Sequence, residues 1–153
     1  MDATALLTED HDVVRELFSD LAELGPSDAK ERRALLEEIR QELDVHARLE
    51  EDVFYPAVRR LPDEYAKDLV EECLEQHDEV RILLEELARL DPSDPDFEDR
   101  LTEVQDSLEQ HVEEEEAEVF PIARQKLGAA RLDELGKELE NLKDSLRGAM
   151  VVR

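Results

Sequence analysis

Apolar residues recur every three or four positions along most of the chain, the period of an amphipathic α-helix. Short segments rich in proline, glycine and aspartate separate four such stretches, and residues of these types end helices and form turns. The pattern predicts four helices. The first covers about residues 4–24, and the second begins at a cap at Ser27 or Asp28 and ends at Pro56. The third and fourth cover about residues 63–90 and 97–126.

The first two predicted helices are similar in sequence to the next two. When residues 9–28 are aligned with residues 75–94, a shift of 66, 12 of the 20 positions are identical. In the helices that follow, the shift is 65, and residues 46–50 align with residues 111–115. One helical hairpin is too thin to bury its own apolar face, so two similar hairpins are expected to pair.

We therefore predict an all-α protein, with an antiparallel up-down-up-down four-helix bundle over residues 1–127 and an additional C-terminal helix over residues 128–153. Beyond Gly128 the repeat ends, and leucines recur in steps of three and four, a narrow seam like that of a coiled coil: Leu132, Leu135, Leu139, Leu142 and Leu146. This helix is expected to pack on the bundle, on a second copy of the chain or on a partner protein.

The chain of 153 residues carries 44 acidic and 19 basic residues, a formal net charge of −25. Such a surface repels nucleic acid and anionic membranes and raises the local concentration of cations. We therefore expect neither nucleic acid nor a membrane as a partner. Because only 4% of the residues are aromatic, the core of this single domain is expected to be aliphatic.

The first ten residues are acidic and lack the basic segment and apolar run of a secretory leader. The apolar stretches are shorter than the roughly 18 residues that a membrane-spanning helix needs. The single cysteine, Cys73, has no second cysteine with which to form a disulfide in the chain. These features predict a cytoplasmic protein.

The four histidines lie on the apolar faces of four different predicted helices, at positions matched by the repeat: His11, His46, His77 and His111. Glu50 and Glu115 each follow a histidine by four residues and therefore share its helix face. A single buried histidine is more often a hydrogen-bonded core residue than a ligand. Four in register, with two carboxylates that are costly to bury unpaired, indicate a metal site in the bundle core.

Six ligands exceed the four of a structural zinc site and suit a pair of metal ions. If both glutamates bridge and each ion takes two histidines, each ion has four protein donors and open positions for a bridge and an external ligand. Such donors favour iron, with manganese and zinc as alternatives. Glu51 and Glu116 lie one residue further, about 100° around the helix, and are weaker ligand candidates.

Paired hairpins with a histidine in the first helix, and with His-x-x-x-Glu before an aromatic–proline step in the second, resemble the hemerythrin-like HHE cation-binding domains. The resemblance covers about residues 6–126. It implies a non-haem di-iron centre in the bundle core, with two Fe ions joined by an oxo or hydroxo bridge. Carried over by position, the implied ligands are His11, His46, Glu50, His77, His111 and Glu115.

The sequence departs from the oxygen-carrying hemerythrins at one position. These proteins have a fifth histidine four residues before the position of His77, where this chain has Cys73. Cys73 is either a thiolate ligand or a small buried hydrophobe, and the second role is the more frequent one for a free cysteine. Without a fifth histidine the two metals would be nearly equivalent and more open, which favours redox turnover over reversible oxygen carriage.

Four residues beside the histidines, or one turn before them, are candidates for fixing an imidazole tautomer: Asp12, Glu42, Asp78 and Ser107. For the two aspartates a solvent-facing role is equally open. Tyr55 follows His46 by nine residues, which at helical pitch turns it away from the histidine face. The sequence therefore leaves Tyr55 out of the ligand set.

These observations predict a non-haem di-iron protein that binds or reduces a small oxidant, O2, H2O2 or NO, at an open iron position. No general base or nucleophile stands out, so any turnover is expected to be centred on the metal. The sequence leaves open whether the chain consumes peroxide or NO as an enzyme. The alternatives are a non-enzymatic iron or oxygen sensor that signals through the leucine seam, and a metal-free or zinc-holding bundle.

Overall fold

The computed structural model describes the backbone of residues 1–152 and the side chains of residues 1–150, and this part of the chain contains no strand. It forms six α-helices: α1 (Ala3–Glu23), α2 (Ala29–Leu49), α3 (Tyr55–Arg59), α4 (Glu64–Arg89), α5 (Phe97–Glu114) and α6 (Phe120–Val152). Helix α1, α2 with α3, α4, and α5 with the first part of α6 form the predicted antiparallel four-helix bundle, which is thereby confirmed.

Two of the helices begin at aspartates that cap them. The Asp2 carboxylate accepts a hydrogen bond of 2.9 Å from the backbone N–H of Ala5 at the start of α1. The Asp63 carboxylate likewise accepts one of 3.1 Å from the N–H of Ala66 at the start of α4. Each bond satisfies a backbone donor that has no partner within its own helix, which fixes where the helix starts.

Two π-helical turns, Glu50–Phe54 and Glu115–Val119, join α2 to α3 and α5 to α6. In each turn a backbone N–H bonds to the carbonyl five residues earlier, and a proline follows one residue later, at position 56 or 121. Proline lacks an N–H and crowds the carbonyl four residues before it, so a wide turn lets the helix continue. The residues after each turn are consequently displaced by about 100° from where a regular α-helix would place them.

The bundle core consists of two apolar clusters with the histidines between them. The first cluster surrounds α3 and the start of α1, and includes Leu7, Leu49, Phe54, Val70 and Phe120. The second cluster lies toward the turns that join α1 to α2 and α4 to α5, and includes Phe18, Ile39, Leu84, Leu101 and Val104. Along each long helix the histidine falls where the chain passes from one cluster to the other.

Arg32 joins the two interhelical turns at the far end of the second cluster. Its buried guanidinium donates to the carbonyls of Pro92, at 2.6 Å, and Leu24, at 2.9 Å. The same group lies 4.6 Å from the centre of the Phe97 ring. One buried cation therefore satisfies carbonyls from both hairpins, which the apolar periodicity of the sequence gave no reason to expect.

Gly128 divides α6 into two parts, because its φ of 82° and ψ of 165° interrupt the helical backbone. The second part lies along α1 and α2, and its leucines Leu132, Leu135 and Leu139 are buried in the first cluster. The seam thus packs on the chain's own bundle. Arg153, the last residue of the predicted C-terminal segment, lies outside the described residues. Among the helices described, none is both long enough and apolar enough to cross a membrane.

Candidate metal centre

The structure brings the six predicted ligands into one layer at the middle of the bundle. All six are buried or nearly so, and the two carboxylates have no exposed surface at all: His11, His46, Glu50, His77, His111 and Glu115. Helices α1, α2, α4 and α5 each contribute a histidine, and the glutamates stand at the first residue of the two π-helical turns.

The ligand atoms form two groups. In the first, His11 Nε2 lies 3.1 Å from His46 Nε2 and 3.1 Å from a carboxylate oxygen of Glu115. His46 Nε2 is also 3.1 Å from Glu50 Oε1. One ligand atom from each of these four residues lies within 4.8 Å of all the others, a spacing that a single cation can fill.

The second group shares Glu50 with the first. His77 Nε2 lies 3.0 Å from Glu50 Oε1 and 3.2 Å from His111 Nε2. His111 Nε2 is 3.8 Å from Glu50 and 3.8 Å from Glu115. Glu50 therefore belongs to both groups, and Glu115 lies 3.1 Å from His11 of the first and 3.8 Å from His111 of the second.

The outer nitrogen of every imidazole meets an oxygen atom from another helix. For His11 and His77 the partners are Glu116, at 2.7 Å, and Glu51, at 2.8 Å. For His46 and His111 they are the repeat-matched residues Asp10, at 3.2 Å, and Gln76, at 2.7 Å. An oxygen acceptor at Nδ1 fixes the proton there and turns the lone pair of Nε2 inward.

These partners differ from the candidates that helical spacing suggested. Asp12 and Asp78 bond instead to Arg15 and Arg81 on the surface of their own helices. Glu42 accepts from Arg147 on the C-terminal part of α6. A tautomer-fixing role is therefore wrong for Asp12, Asp78 and Glu42, and the two aspartates are exposed, which was the alternative for them. The acceptors were missed because each ring's outer nitrogen faces a residue of a neighbouring helix, which spacing along the histidine's own helix does not identify.

Tyr55 belongs to the centre, against the prediction from helical pitch. Its hydroxyl donates to Glu115 and lies 3.3 Å from His77 Nε2, and the side chain is 2% exposed. The π-helical turn at Glu50–Phe54 displaces Tyr55 toward the histidine layer. The Tyr55–Pro56 step was the available signal, because a proline inside a helical pattern implies a local irregularity.

Three comparisons with known proteins agree with this geometry. The family profile of the hemerythrin HHE cation binding domain matches residues 2–123. The chain belongs to the hemerythrin HHE family. In the crystal structure of an HHE cation binding domain-containing protein, the Rv2633c homolog from Mycobacterium kansasii, the matched chain is 31% identical. The match has a TM-score of 0.88 and covers 99% of this chain and 91% of that one.

Two sequence relatives are both longer than this chain. The uncharacterized protein Rv2633c of Mycobacterium tuberculosis is 29% identical over 150 residues, which cover 97% of this chain and 89% of that protein. A DNA nickase from Nostoc sp. is 28% identical over 147 residues, or 96% of this chain. The matched part is 40% of the nickase, so this HHE chain corresponds to less than half of that protein.

Cys73, where the sequence departs from the oxygen-carrying hemerythrins, lies in the first apolar cluster and is 1% exposed. It belongs to neither group of ligand atoms found among the described residues. Burial raises the pKa of its thiol, and the charges of Glu115 and Glu50 raise it further. The surroundings therefore oppose a thiolate, and Cys73 packs as a small hydrophobe.

The ligand atoms of this HHE domain fit a pair of cations. Glu50 Oε2 and Glu115 Oε1 are buried without a hydrogen-bond partner, which is costly for a carboxylate oxygen. The Nε2 atoms of the paired histidines also lie only 3.1 and 3.2 Å apart. A cation in each group would satisfy the orphaned oxygens and bind the paired nitrogens.

Protons are the competitors of these cations. Burial raises the pKa of Glu115, and the adjacent charge of Glu50 raises it further. Burial alone would lower the pKa of the His77 imidazole, but hydrogen bonds to Glu50 and Glu51 outweigh it and raise that pKa to about 9. The pKa of His46 rises for a similar reason, since the charge of Glu50 and the bond to Asp10 outweigh burial. A metal ion must displace these protons in order to bind.

A cavity of about 480 Å³ reaches the histidine layer from the surface. All four histidines line it, and apolar side chains form its walls: Val14, Leu43, Val80, Leu84, Leu108 and Val112. Charged residues of α2 and α4 stand at its mouth, among them Arg40 and Arg81. The centre is therefore open to small molecules from one side of the bundle.

Proposed function

We propose that this HHE domain is a non-haem di-iron protein that binds or reduces a small oxidant, O2, H2O2 or NO. One observation carries the proposal: two groups of inward-facing donors share Glu50, and Glu50 and Glu115 each have a buried oxygen without a hydrogen-bond partner. Mixed imidazole and carboxylate donors in a core with a route to the surface suit iron, and manganese and zinc are the alternatives. When bound, the iron pair supplies electrons and an open coordination position.

The chain's own residues preorganise this centre for metal binding. Oxygen acceptors at the Nδ1 atoms fix the four imidazole rings, so that little reorganisation is needed when a metal binds. Tyr55 keeps its proton, since burial raises the pKa of its hydroxyl and the charges of Glu115 and Glu50 raise it further. Its O–H thus remains a donor at Glu115. Phe54 and Phe120, both buried, limit the access of water from the first cluster.

The relatives do not extend the proposal to DNA. The shared part is 40% of the Nostoc nickase, and a formal charge of −25 opposes the binding of a phosphate backbone. We propose small molecules as the ligands of this domain.

The test is the metal content and optical spectrum of the purified protein. We expect about two irons per chain from the two groups of donors, an oxo-to-iron band in the near ultraviolet, its loss on reduction with dithionite and its return with peroxide. The variant E115Q keeps the shape of a ligand side chain but removes its charge, and should lose iron. E113Q, an exposed glutamate two residues away, is the matched control and should retain it. A wild-type protein without iron, or equal iron in both variants, would contradict the proposal.

A second candidate function is metal sensing through the C-terminal part of α6. Its support is a chain of contacts, in which Lys143 pairs with Asp10 and Asp10 accepts from His46 at 3.2 Å. Hydrogen exchange of residues 129–146, with and without iron, tests it. Metal-dependent protection that disappears in K143A supports a sensor, and unchanged protection in the wild type rejects it.

A further inference from the structure

The cavity opens on only one of two faces that the internal repeat makes equivalent. Helix α1 corresponds to α4 and α2 to α5, so the α1–α5 face corresponds to the α2–α4 face. On the α1–α5 face a two-pronged ion pair joins the helices, with Arg15 Nη2 at 2.6 Å and Nε at 3.0 Å from the carboxylate oxygens of Glu109. This pair ties the two helices together above the histidine layer.

The equivalent pair on the α2–α4 face is not formed. Its members are Arg81, which matches Arg15, and Asp44, which matches Glu109, and both line the cavity. Arg81 lies instead along its own helix, 2.8 Å from Asp78 and 3.6 Å from Glu51. Within residues 1–150 no ion pair connects Arg81 to Asp44, whose side chain is one methylene shorter than that of glutamate.

Two further positions are smaller on the open face. Ala47 of α2 stands where α5 has Val112, and Leu84 of α4 stands where α1 has Phe18. Ala47 and Leu84 both line the cavity; of their counterparts Val112 also reaches it, whereas Phe18 does not. Because protein interiors are close-packed, a few missing methylene groups, or a leucine in place of a phenylalanine, decide whether a channel exists between two helices. At these two positions the open face thus has the smaller side chain.

From this asymmetry we propose that the α2–α4 opening is the route to the metal centre, and that it admits small uncharged organic molecules as well as diatomics. Asp44, Ala47 and Leu84 set its width. The inference rests on the proposed function only in taking the metal centre as the destination, because the opening itself is a property of the helices.

The size and lining of the cavity indicate the class of ligand. About 480 Å³ lies within the roughly 300–1,000 Å³ of pockets for organic ligands, and far exceeds the roughly 30 Å³ that one water occupies. The walls are apolar, and the charged residues at the mouth are of both signs: Glu37, Arg40, Asp44, Arg81 and Glu85. Because positive charge is not in excess at the mouth, the opening does not attract anions. An uncharged molecule with an apolar body and one polar end suits it best.

The test compares two variants that exchange the side chains of the two faces. The filled variant, D44E/A47V/L84F, gives the open face the residues of the closed one. The mirror variant, E109D/V112A/F18L, makes the reverse changes on the closed face and is the matched control for altered packing. Circular dichroism checks that both variants fold. If the filled variant does not fold, the single variant A47V replaces it.

The first measurement needs no metal. Diethyl pyrocarbonate, a small uncharged organic reagent, modifies imidazole nitrogens, and mass spectrometry reads the rate at each of the four histidines in the chelator-treated full chain, with all variants compared at the same pH. We expect the filled variant to react about tenfold more slowly than the wild type, and A47V alone to be slowed to a smaller extent. The mirror variant should react at least as fast as the wild type. Wild-type rates in the filled variant, or equal slowing in both variants, would overturn the inference.

The second measurement uses the iron-loaded protein. The rates at which azide and phenol change its optical spectrum are followed by rapid mixing. Filling should slow phenol more than azide at unchanged iron content, since phenol is the larger molecule, and equal rates in all variants would overturn the inference. Failure of the proposed function would show itself differently, as missing iron, and would leave the metal-free histidine rates to decide on the opening.

Discussion

The Nδ1 atom of each imidazole in the candidate metal centre lies within hydrogen-bond distance of an oxygen atom of a neighbouring helix. Three of the four acceptors are carboxylates and the fourth, Gln76, is an amide whose nitrogen donates to Glu114 at 2.5 Å. A carboxylate makes the opposite ring nitrogen a stronger donor to a metal than an amide does. The two groups of donors are therefore chemically unequal, with the amide on the side of His77 and His111.

At the residue scale, we predict that the metal-free protein loses stability as the pH rises from 6.5 to 9. The pKa of His77 is raised from 6.5 to about 9 in the folded chain, so its contribution is complete below 6.5 and lost as the pH passes through 9. The raised pKa of Glu115 acts in the same direction, because an ionised buried carboxylate destabilises the fold.

Urea denaturation in the presence of a chelator measures this effect. The denaturation midpoint should fall across this range, whereas in the iron-loaded protein it should not, because metal binding releases the same protons. A metal-free midpoint that stays constant or rises would contradict the assignment.

A second residue-scale prediction concerns Tyr55. Y55F removes the donor at Glu115 and leaves a buried oxygen unsatisfied, so we expect the metal-free protein to lose about 1–3 kcal/mol. Y65F is the control, since Tyr65 bonds to Glu118 at the surface and should lose no more than about 0.5 kcal/mol. Urea denaturation distinguishes them, and similar losses would mean that the hydroxyl of Tyr55 has no special role.

At the scale of elements, the second part of α6 depends on a close approach to the N-terminus. A Cβ added at Gly136 would stand 2.2 Å from the carbonyl oxygen of Met1, whereas one at Gly148 would meet nothing within 4 Å. Only glycine lets the helix lie this close to the start of α1. This contact helps to bring Lys143 against Asp10 behind the metal centre.

We therefore predict opposite effects of alanine at these two glycines. G136A should destabilise the protein by about 1–3 kcal/mol, because the start of α1 must move away. G148A should leave stability unchanged or raise it by up to about 1 kcal/mol, because alanine is the better helix former. Thermal unfolding measures both, and a neutral G136A would show that the N-terminus yields without cost.

At the scale of the whole molecule, a net charge of −25 surrounds a centre that takes up cations. Field lines from the surface raise the local concentration of cations and speed their association. We predict that the association rate of Fe²⁺ falls severalfold between about 0.01 and 0.15 M salt, as the screening length shrinks from about 30 to about 8 Å. Stopped-flow optical measurements give the rate. Sucrose of equal osmolarity is the control and should leave it unchanged, and a rate independent of salt would exclude steering.

Much of the molecule follows from the pattern of the sequence. Apolar periodicity and turn residues define the four long helices, and the repeat, with one histidine on each inward face, places the six buried donors in one layer. These features are local or periodic, so helical geometry suffices to derive them. The break at Gly128 was visible for the same reason, because the repeat and the helical pattern both stop there.

Only the tertiary structure decided what each side chain meets across a helix boundary. The widened turn before Pro56 rotates Tyr55 into the centre, and no regular helical pitch predicts that rotation. The acceptors behind the imidazoles, such as Gln76 and Glu51, depend on which helix is the neighbour and how it is rotated. The cavity between α2 and α4 likewise exists only once the helices pack, because side chains of several different helices line it.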